Sequence, residues 1–263
     1  MTYKDAGVDV EAGRNLIRDI GPLMESTRRE GVLGEVGGFG GLFQVPKKFR
    51  APVLVAGADG VGTKLALAQM AGRHKGVGVD LVAMCANDVL CHGAEPLFFL
   101  DYFAAGRLDP EVAREVLEGV AEGCREAGCA LLGGETAEMP SFYGERVYEL
   151  AGFCVGAVEG DRLIDGSAIR EGDNLLGLPS SGLHSNGFSL VRKVLFEKEG
   201  LSLDDAPGPL VRSLEEELLE PARIYVEPVL SLLSEVSVHG IAHITGGGIP
   251  ENLGRVLPQG LRA

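Results

Sequence analysis

From Asp9 to Glu30 apolar residues recur at helical spacing, at Leu16, Ile17, Ile20, Leu23 and Met24, which predicts a helix capped by Asp9 and ended by Gly31. The run Gly37-Gly38-Phe39-Gly40-Gly41 is too glycine-dense for a regular element. Pro52–Ala58 reads as a strand running into Asp59-Gly60-Val61-Gly62-Thr63-Lys64, and Asp80–Cys91 has the length and apolar content of a buried helix. Pro96–Ala105, rich in Phe and Tyr, predicts a second strand. Asp109-Pro110-Glu111 supplies a cap followed by proline at the first helical position, so Asp109–Ala127 is expected to be helical. Strands are expected at Cys129–Leu132, Val147–Val158, Asn174–Leu178 and Ile241–Ile244, and helices at Ser185–Lys198, Pro221–Val236 and from near Pro250.

Helices and strands interleave throughout, which sets the fold class as α/β, of the α+β type. Polar, glycine-containing sequence from Glu159 to Asp173 suits a junction, giving an N-terminal domain over residues 1–160 and a C-terminal domain over 168–263.

Composition narrows the partners. The 263 residues carry 24 Lys and Arg against 38 Asp and Glu, a formal net charge of −14. That balance argues against nucleic acid and anionic membranes. A phosphate ligand would have to be held by backbone N–H groups, a few placed lysines and a divalent metal. The five cysteines form no C-x-x-C pair and read as buried apolar residues of a reducing compartment. No apolar run reaches the roughly 20 residues of a membrane span, and Met1–Asp9 lacks the features of a secretory signal. A cytoplasmic location is expected.

Five stretches can carry chemistry. Asp59–Lys64 follows a strand and offers a carboxylate, flexible glycines (Gly60, Gly62), a hydroxyl (Thr63) and a cation (Lys64). Its spacing is not that of a P-loop, and a tight turn capped by Asp fits the string equally well. Asn87 and Asp88 lie inside an apolar helix, where an ionised carboxylate costs several kcal/mol unless it is paired or metal-bound. Asp80, seven residues before Asn87, shares its face. Gly133–Glu138 offers Glu135, Thr136 and Glu138 beside two glycines, with a strand-ending turn as the plain alternative. Ser180–Gly187 sets Ser181, His184 and Asn186 before a helix, which suits an anion. An ordinary helix cap would explain half of these residues but not His184 among them, which could serve as an acid–base group or as a donor to a developing oxyanion. His243–Gly248, with Thr245, Gly246 and Gly247, is a second possible phosphate cradle or a bare glycine turn.

Taken in order, these strings resemble the phosphoribosylformylglycinamidine cyclo-ligases, also called aminoimidazole ribonucleotide synthetases. The resemblance rests on Tyr3–Asp9, Asp59–Lys64, Asp80–Asp88, Gly93–Tyr102, Gly133–Pro140, Ser180–Gly187 and His243–Gly248, and runs from Tyr3 to about Pro258. It implies ATP-dependent closure of the imidazole ring of formylglycinamidine ribonucleotide in purine biosynthesis. It also implies Mg²⁺ on Asp59 and Asp88, with Asn87 assisting. Phosphates would be covered by Lys4, Thr63, Lys64 and the Gly37, Gly38 and Gly40 loop, and His184, Ser181 and Asn186 would face the other substrate. Asp88 and His184 are the residues expected to be catalytic. The implied fold is an N-terminal four-stranded sheet that closes a barrel with its twin in a homodimer, beside a C-terminal α/β domain expected here to be incomplete. Two other readings compete: a selenophosphate or thiamine-phosphate kinase type of enzyme, and an inactive nucleotide-binding chain.

Overall fold

The structure is a computed structural model and describes residues 10–34 and 38–263. The expected roles of Lys4 and Gly37, and the Asp9 cap, fall outside those residues. Helix α1 (Val10–Ser26) turns Leu16 and Met24 into the core, and it ends before Gly31, where the Thr27 hydroxyl donates to Met24 O. A two-residue hairpin, β1 (Val32–Leu33) and β2 (Leu42–Phe43), follows.

The main sheet is built from β3 (Pro52–Gly60), β4 (Glu95–Ala105), β5 (Ala130–Glu138) and β6 (Tyr148–Glu159), in the order β3-β6-β4-β5. Of the three pairings in this sheet, only β4 with β5 is parallel. A parallel pair needs a crossover, and α4 (Pro110–Glu126) provides it. Asp109 caps that helix as expected, accepting from the N–H groups of Glu111 and Val112. Between β3 and β4 lie α2 (Lys64–Ala71), which the hydrophobic pattern did not predict, and α3 (Lys75–Leu90). Helix α3 is buried along almost its whole length, as its continuous apolar composition required.

Helices α3 and α4 lie almost backbone to backbone. A Cβ on Gly78 would fall 2.7 Å from Val120 N, and one on Gly119 would fall 3.1 Å from Gly78 Cα, so neither position has room for a side chain. This pair covers one face of the sheet. The opposite face is open and apolar: Ala58, Phe153 and Leu100 pair across three strands, and Leu54 and Phe153 are exposed.

Beyond β6 the chain forms short helices. These are α5 (Phe188–Arg192), continued by a wider π turn over Lys193–Lys198, then α6 (Leu214–Leu218), α7 (Val226–Glu235) and α8 (Gly248–Gly254). Phe188, Leu214, Leu218, Val226 and Val229 join the same core as α3 and α4. Two expectations are corrected here. Asn174–Leu178 and Ile241–Ile244 form no strand ladder among the described residues. A strand needs a neighbour for its N–H and C=O groups, and these segments have none; Leu175 and Leu176 stand exposed. The helix expected from Pro221 begins only at Val226, because the backbone of the segment before it is bonded to side chains of the N-terminal half.

Candidate active site

Asp59 lies on β3 and Asp88 on α3, two elements that pack together. The Gly60 N–H donates to Asp59 Oδ1 at 2.8 Å, and His243 Nδ1–H donates to Asp88 Oδ1 at 2.8 Å. Both carboxylates lie near the buried Cys85 thiol. Burial above all, with these charges adding to it, pushes that thiol up to about 12. Asp88 keeps 45% of its side chain exposed, while His243 keeps 10%. The second oxygens of Asp59 and Asp88 have no protein partner among the described residues. No group of three His, Cys, Asp or Glu side chains is arranged to hold a metal among those residues. Two hard oxygen donors without a third suit Mg²⁺, which is typically held by one or two carboxylates while phosphates and water complete its shell.

Lys64, Asp80 and Asn87 are engaged elsewhere, with the irregular segment Glu220–Tyr225. Lys64 Nζ lies 2.7 Å from Asp80 Oδ2, with both side chains fully buried, and donates to Glu220 O at 2.8 Å. Ala222 N donates to Asp80 Oδ1 at 2.7 Å. Asn87 Nδ2 donates to Arg223 O at 2.9 Å, and Asn87 Oδ1 accepts from Tyr225 N at 3.0 Å. Burial drives the Asp80 carboxyl up, while the Lys64 charge pulls it down. In this geometry Lys64 and Asn87 bind the protein's own backbone rather than facing an open site.

The loop before α5 lies against the same segment. Ser181 Oγ donates to Pro221 O at 2.6 Å. His184 has a left-handed backbone, φ 57°, and its Nε2 accepts from Ser181 N at 3.2 Å and from Arg223 N at 3.4 Å. Burial, followed by the nearby charges of His243, Lys64 and Arg223, lowers the His184 pKa. Asn186 reaches the 243–248 turn: a Cβ on Gly246 would lie 3.8 Å from its Nδ2. Thr63 Oγ1 is 2.9 Å from Ser189 Oγ at the start of α5, and Thr245 Oγ1 donates to Asn252 Oδ1 of α8. Gly247 precedes α8.

Asp59, Asp88, His184, Asn186 and the 243–248 turn therefore converge. Glu135 and Thr136 do not join them. They lie on β5, at the sheet edge opposite β3, about three strand spacings or roughly 14 Å away. The exposed loop with Gly38 and Gly40 belongs to that side, since a Cβ on neighbouring Gly41 would overlap Leu132 of β5. Sequence reasoning missed His243 as the partner of Asp88 and missed the whole Glu220–Tyr225 segment. His243 was visible as the one titratable group in its glycine turn, whereas the segment carries no motif.

Residues 49–158 match the family described as AIR synthase related protein, N-terminal domain, and residues 170–263 match the corresponding C-terminal domain. The chain is 62% identical over 263 residues to the phosphoribosylformylglycinamidine cyclo-ligase of Myxococcus xanthus, covering all of this chain and 76% of that protein. With the protein of the same name from Thermosynechococcus vestitus the identity is 61% over 265 residues, covering 77% of the relative. Among solved structures, thiamine-monophosphate kinase from Stenotrophomonas maltophilia superposes with a TM-score of 0.67 at 21% identity, over 95% of this chain and 71% of that one. The hydrogenase maturation protein HypE, solved in complex with ATP, gives 0.62 at 19% identity, over 96% of this chain and 67% of that one. At such identities the two structures establish the fold alone. The matched domains and the close relatives together place this chain in the phosphoribosylformylglycinamidine cyclo-ligase family.

Proposed function

We propose that the cleft bounded by Asp59, Asp88, His184 and the 243–248 turn is where ATP and formylglycinamidine ribonucleotide react, and that this chain performs the cyclo-ligase reaction of its family. An amide oxygen is a poor leaving group. Transfer of the γ-phosphoryl group to that oxygen gives an iminophosphate and ADP. The neighbouring amidine nitrogen then attacks the carbon and phosphate departs, closing the imidazole ring. The protein's task is chiefly positioning and charge neutralisation. Asp59 and Asp88 would hold Mg²⁺, which supplies charge neutralisation on the triphosphate. His243 orients Asp88, and His184, Ser181 and Asn186 face the acceptor. Thr63 and the N–H groups of Gly246 and Gly247 would contact phosphates, Gly60 would let the backbone pass close to them, and Gly38, Gly40, Glu135 and Thr136 would form a separate contact surface for substrate at the β5 edge.

One observation carries this reading. Asp88 is half-exposed at the end of an otherwise buried helix, tied at 2.8 Å to a histidine from the opposite half of the chain. Identities near 60% to cyclo-ligases, against 21% to a kinase, favour ring closure over phosphorylation of a thiamine-type acceptor. The open apolar face of the sheet, with Leu54 and Phe153 exposed, supports a homodimer that closes a barrel there. No described helix is long and apolar enough to cross a membrane, in keeping with a cytoplasmic enzyme. The test is ADP release measured with and without formylglycinamidine ribonucleotide and Mg²⁺. Acceptor- and Mg²⁺-dependent turnover is expected, falling by about 10²-fold or more in Asp88→Asn. Turnover that ignores the acceptor would overturn the assignment.

A further inference from the structure

We infer that Asn87 and Asp80 are positioning residues which, through the backbone of Glu220–Tyr225, fix His184 as a neutral imidazole bearing its proton on Nδ1. Two backbone N–H groups, Ser181 N at 3.2 Å and Arg223 N at 3.4 Å, point at Nε2. Peptide N–H groups only donate, so Nε2 must present a lone pair, and a neutral imidazole then carries its hydrogen on Nδ1. Among the described residues no protein group bonds to Nδ1. His184 therefore offers a donor outward and keeps its basic nitrogen inward. Such a ring can stabilise negative charge growing on an oxygen but cannot take up a proton through Nε2 without losing two hydrogen bonds.

Both donors are held through the Glu220–Tyr225 segment. Arg223 N belongs to the residue whose carbonyl accepts from Asn87 Nδ2 at 2.9 Å, and Asn87 Oδ1 binds Tyr225 N at 3.0 Å. One residue upstream, Asp80 Oδ1 takes Ala222 N at 2.7 Å. Ser181 is fastened to the same segment by its hydroxyl, which donates to Pro221 O at 2.6 Å. Side chains of α3 thus set the position of the Arg223 amide, and of the segment to which Ser181 is fastened. His184 itself has φ 57°, an uncommon conformation for a residue with a Cβ, which persists only where surrounding contacts define it. Asn87 acts on the reaction through His184, not by touching substrate.

This inference uses the proposed reading of His184 as a group facing the acceptor, but its central claim is testable without turnover. In protein labelled with ¹⁵N-histidine, the His184 signals are assigned by their loss in His184→Gln. The expected wild-type spectrum shows a protonated-type nitrogen at Nδ1 and a lone-pair-type nitrogen at Nε2. Asn87→Ala, checked for folding by circular dichroism, should mix the two tautomers and lower kcat by about 10- to 100-fold, with KM for ATP little changed. Asp80→Asn, also checked for folding because it strands the buried Lys64 charge, keeps a side-chain oxygen for Ala222 N and should retain the wild-type tautomer. A wild-type His184 protonated on Nε2 overturns the proposal, and so does a folded Asn87→Ala with an unchanged tautomer. Should Asn87→Ala fail to fold, the wild-type spectrum alone decides the tautomer, and Asn87→Asp, whose second oxygen repels Arg223 O, replaces it as the variant. If the tautomer is as stated but His184→Gln retains full turnover, the functional reading fails while the positioning claim stands.

Discussion

Lys64 Nζ and Asp80 Oδ2 are 2.7 Å apart with neither side chain reaching water, and each also binds backbone of the Glu220–Tyr225 segment. Removing one member of a buried pair strands the other charge, at a cost of roughly 3–5 kcal/mol. Lys64→Met is therefore expected to lose about that much stability, measured as a lower urea midpoint. Lys64→Met combined with Asp80→Leu should recover part of the loss. The recovery stays incomplete because Ala222 N would be left buried without an acceptor, worth about 1–3 kcal/mol.

His243 is expected to act through Asp88. In His243→Ala the carboxylate loses its 2.8 Å donor and the ring that covers it. Residues that orient a ligating carboxylate typically contribute 10- to 100-fold to metal affinity or activity. The Mg²⁺ concentration for half-maximal turnover should rise by about that factor, whereas an unchanged Mg²⁺ titration would detach His243 from the site.

Asp101, on β4, is buried and lacks a cationic partner among the described residues. Burial raises its carboxyl to about 7, its own backbone N–H partly offsets this, and the charge of Glu135 adds to the rise. The unfolded chain releases this proton near pH 3.9. Between about pH 4 and about 7 the folded state keeps a proton that the unfolded state has given up, so stability falls as pH rises through that window. Asp101→Asn should flatten this part of the Tm–pH curve and melt above the wild type at alkaline pH. Gly134 leaves the room this carboxyl occupies, since a Cβ there would fall 2.7 Å from Asp101 Cγ. An equally steep curve in the Asn variant would show that another group titrates.

Phe153 and Leu54 stand exposed on the open sheet face. If that face closes the dimer, Phe153→Glu places a charge in an apolar interface and should shift sedimentation toward monomer at micromolar concentration. A dimer of unchanged stability would move the interface elsewhere.

The sequence reading was most successful where one segment dictates its own structure. The apolar run of α3, the Asp-Pro cap of α4 and the aromatic strand β4 all formed as expected. It was least successful where the deciding partner is remote. Lys64 in a glycine turn reads as a phosphate ligand, yet its carbonyl partner lies 156 residues away. Asn87 looks like a metal neighbour, but both ends of its amide meet backbone some 136 and 138 residues downstream. Short α6 was legible after all: Ser213 and Glu216 form a capping box that the periodicity alone did not reveal. The absent ladders at Asn174–Leu178 and Ile241–Ile244 have the same cause, since apolar spacing predicts a strand without supplying its neighbour.

The grip of α2 and α3 on Glu220–Tyr225 has a mechanical corollary. Lys64 seizes a carbonyl, Asp80 an amide hydrogen, and Asn87 one of each, so four side-chain contacts read the segment as a key reads a lock with alternating teeth. Sliding the segment by a single residue would bring Pro221, which has no N–H, to the place where Ala222 N meets Asp80. The two halves of the chain are thereby keyed to a single alignment.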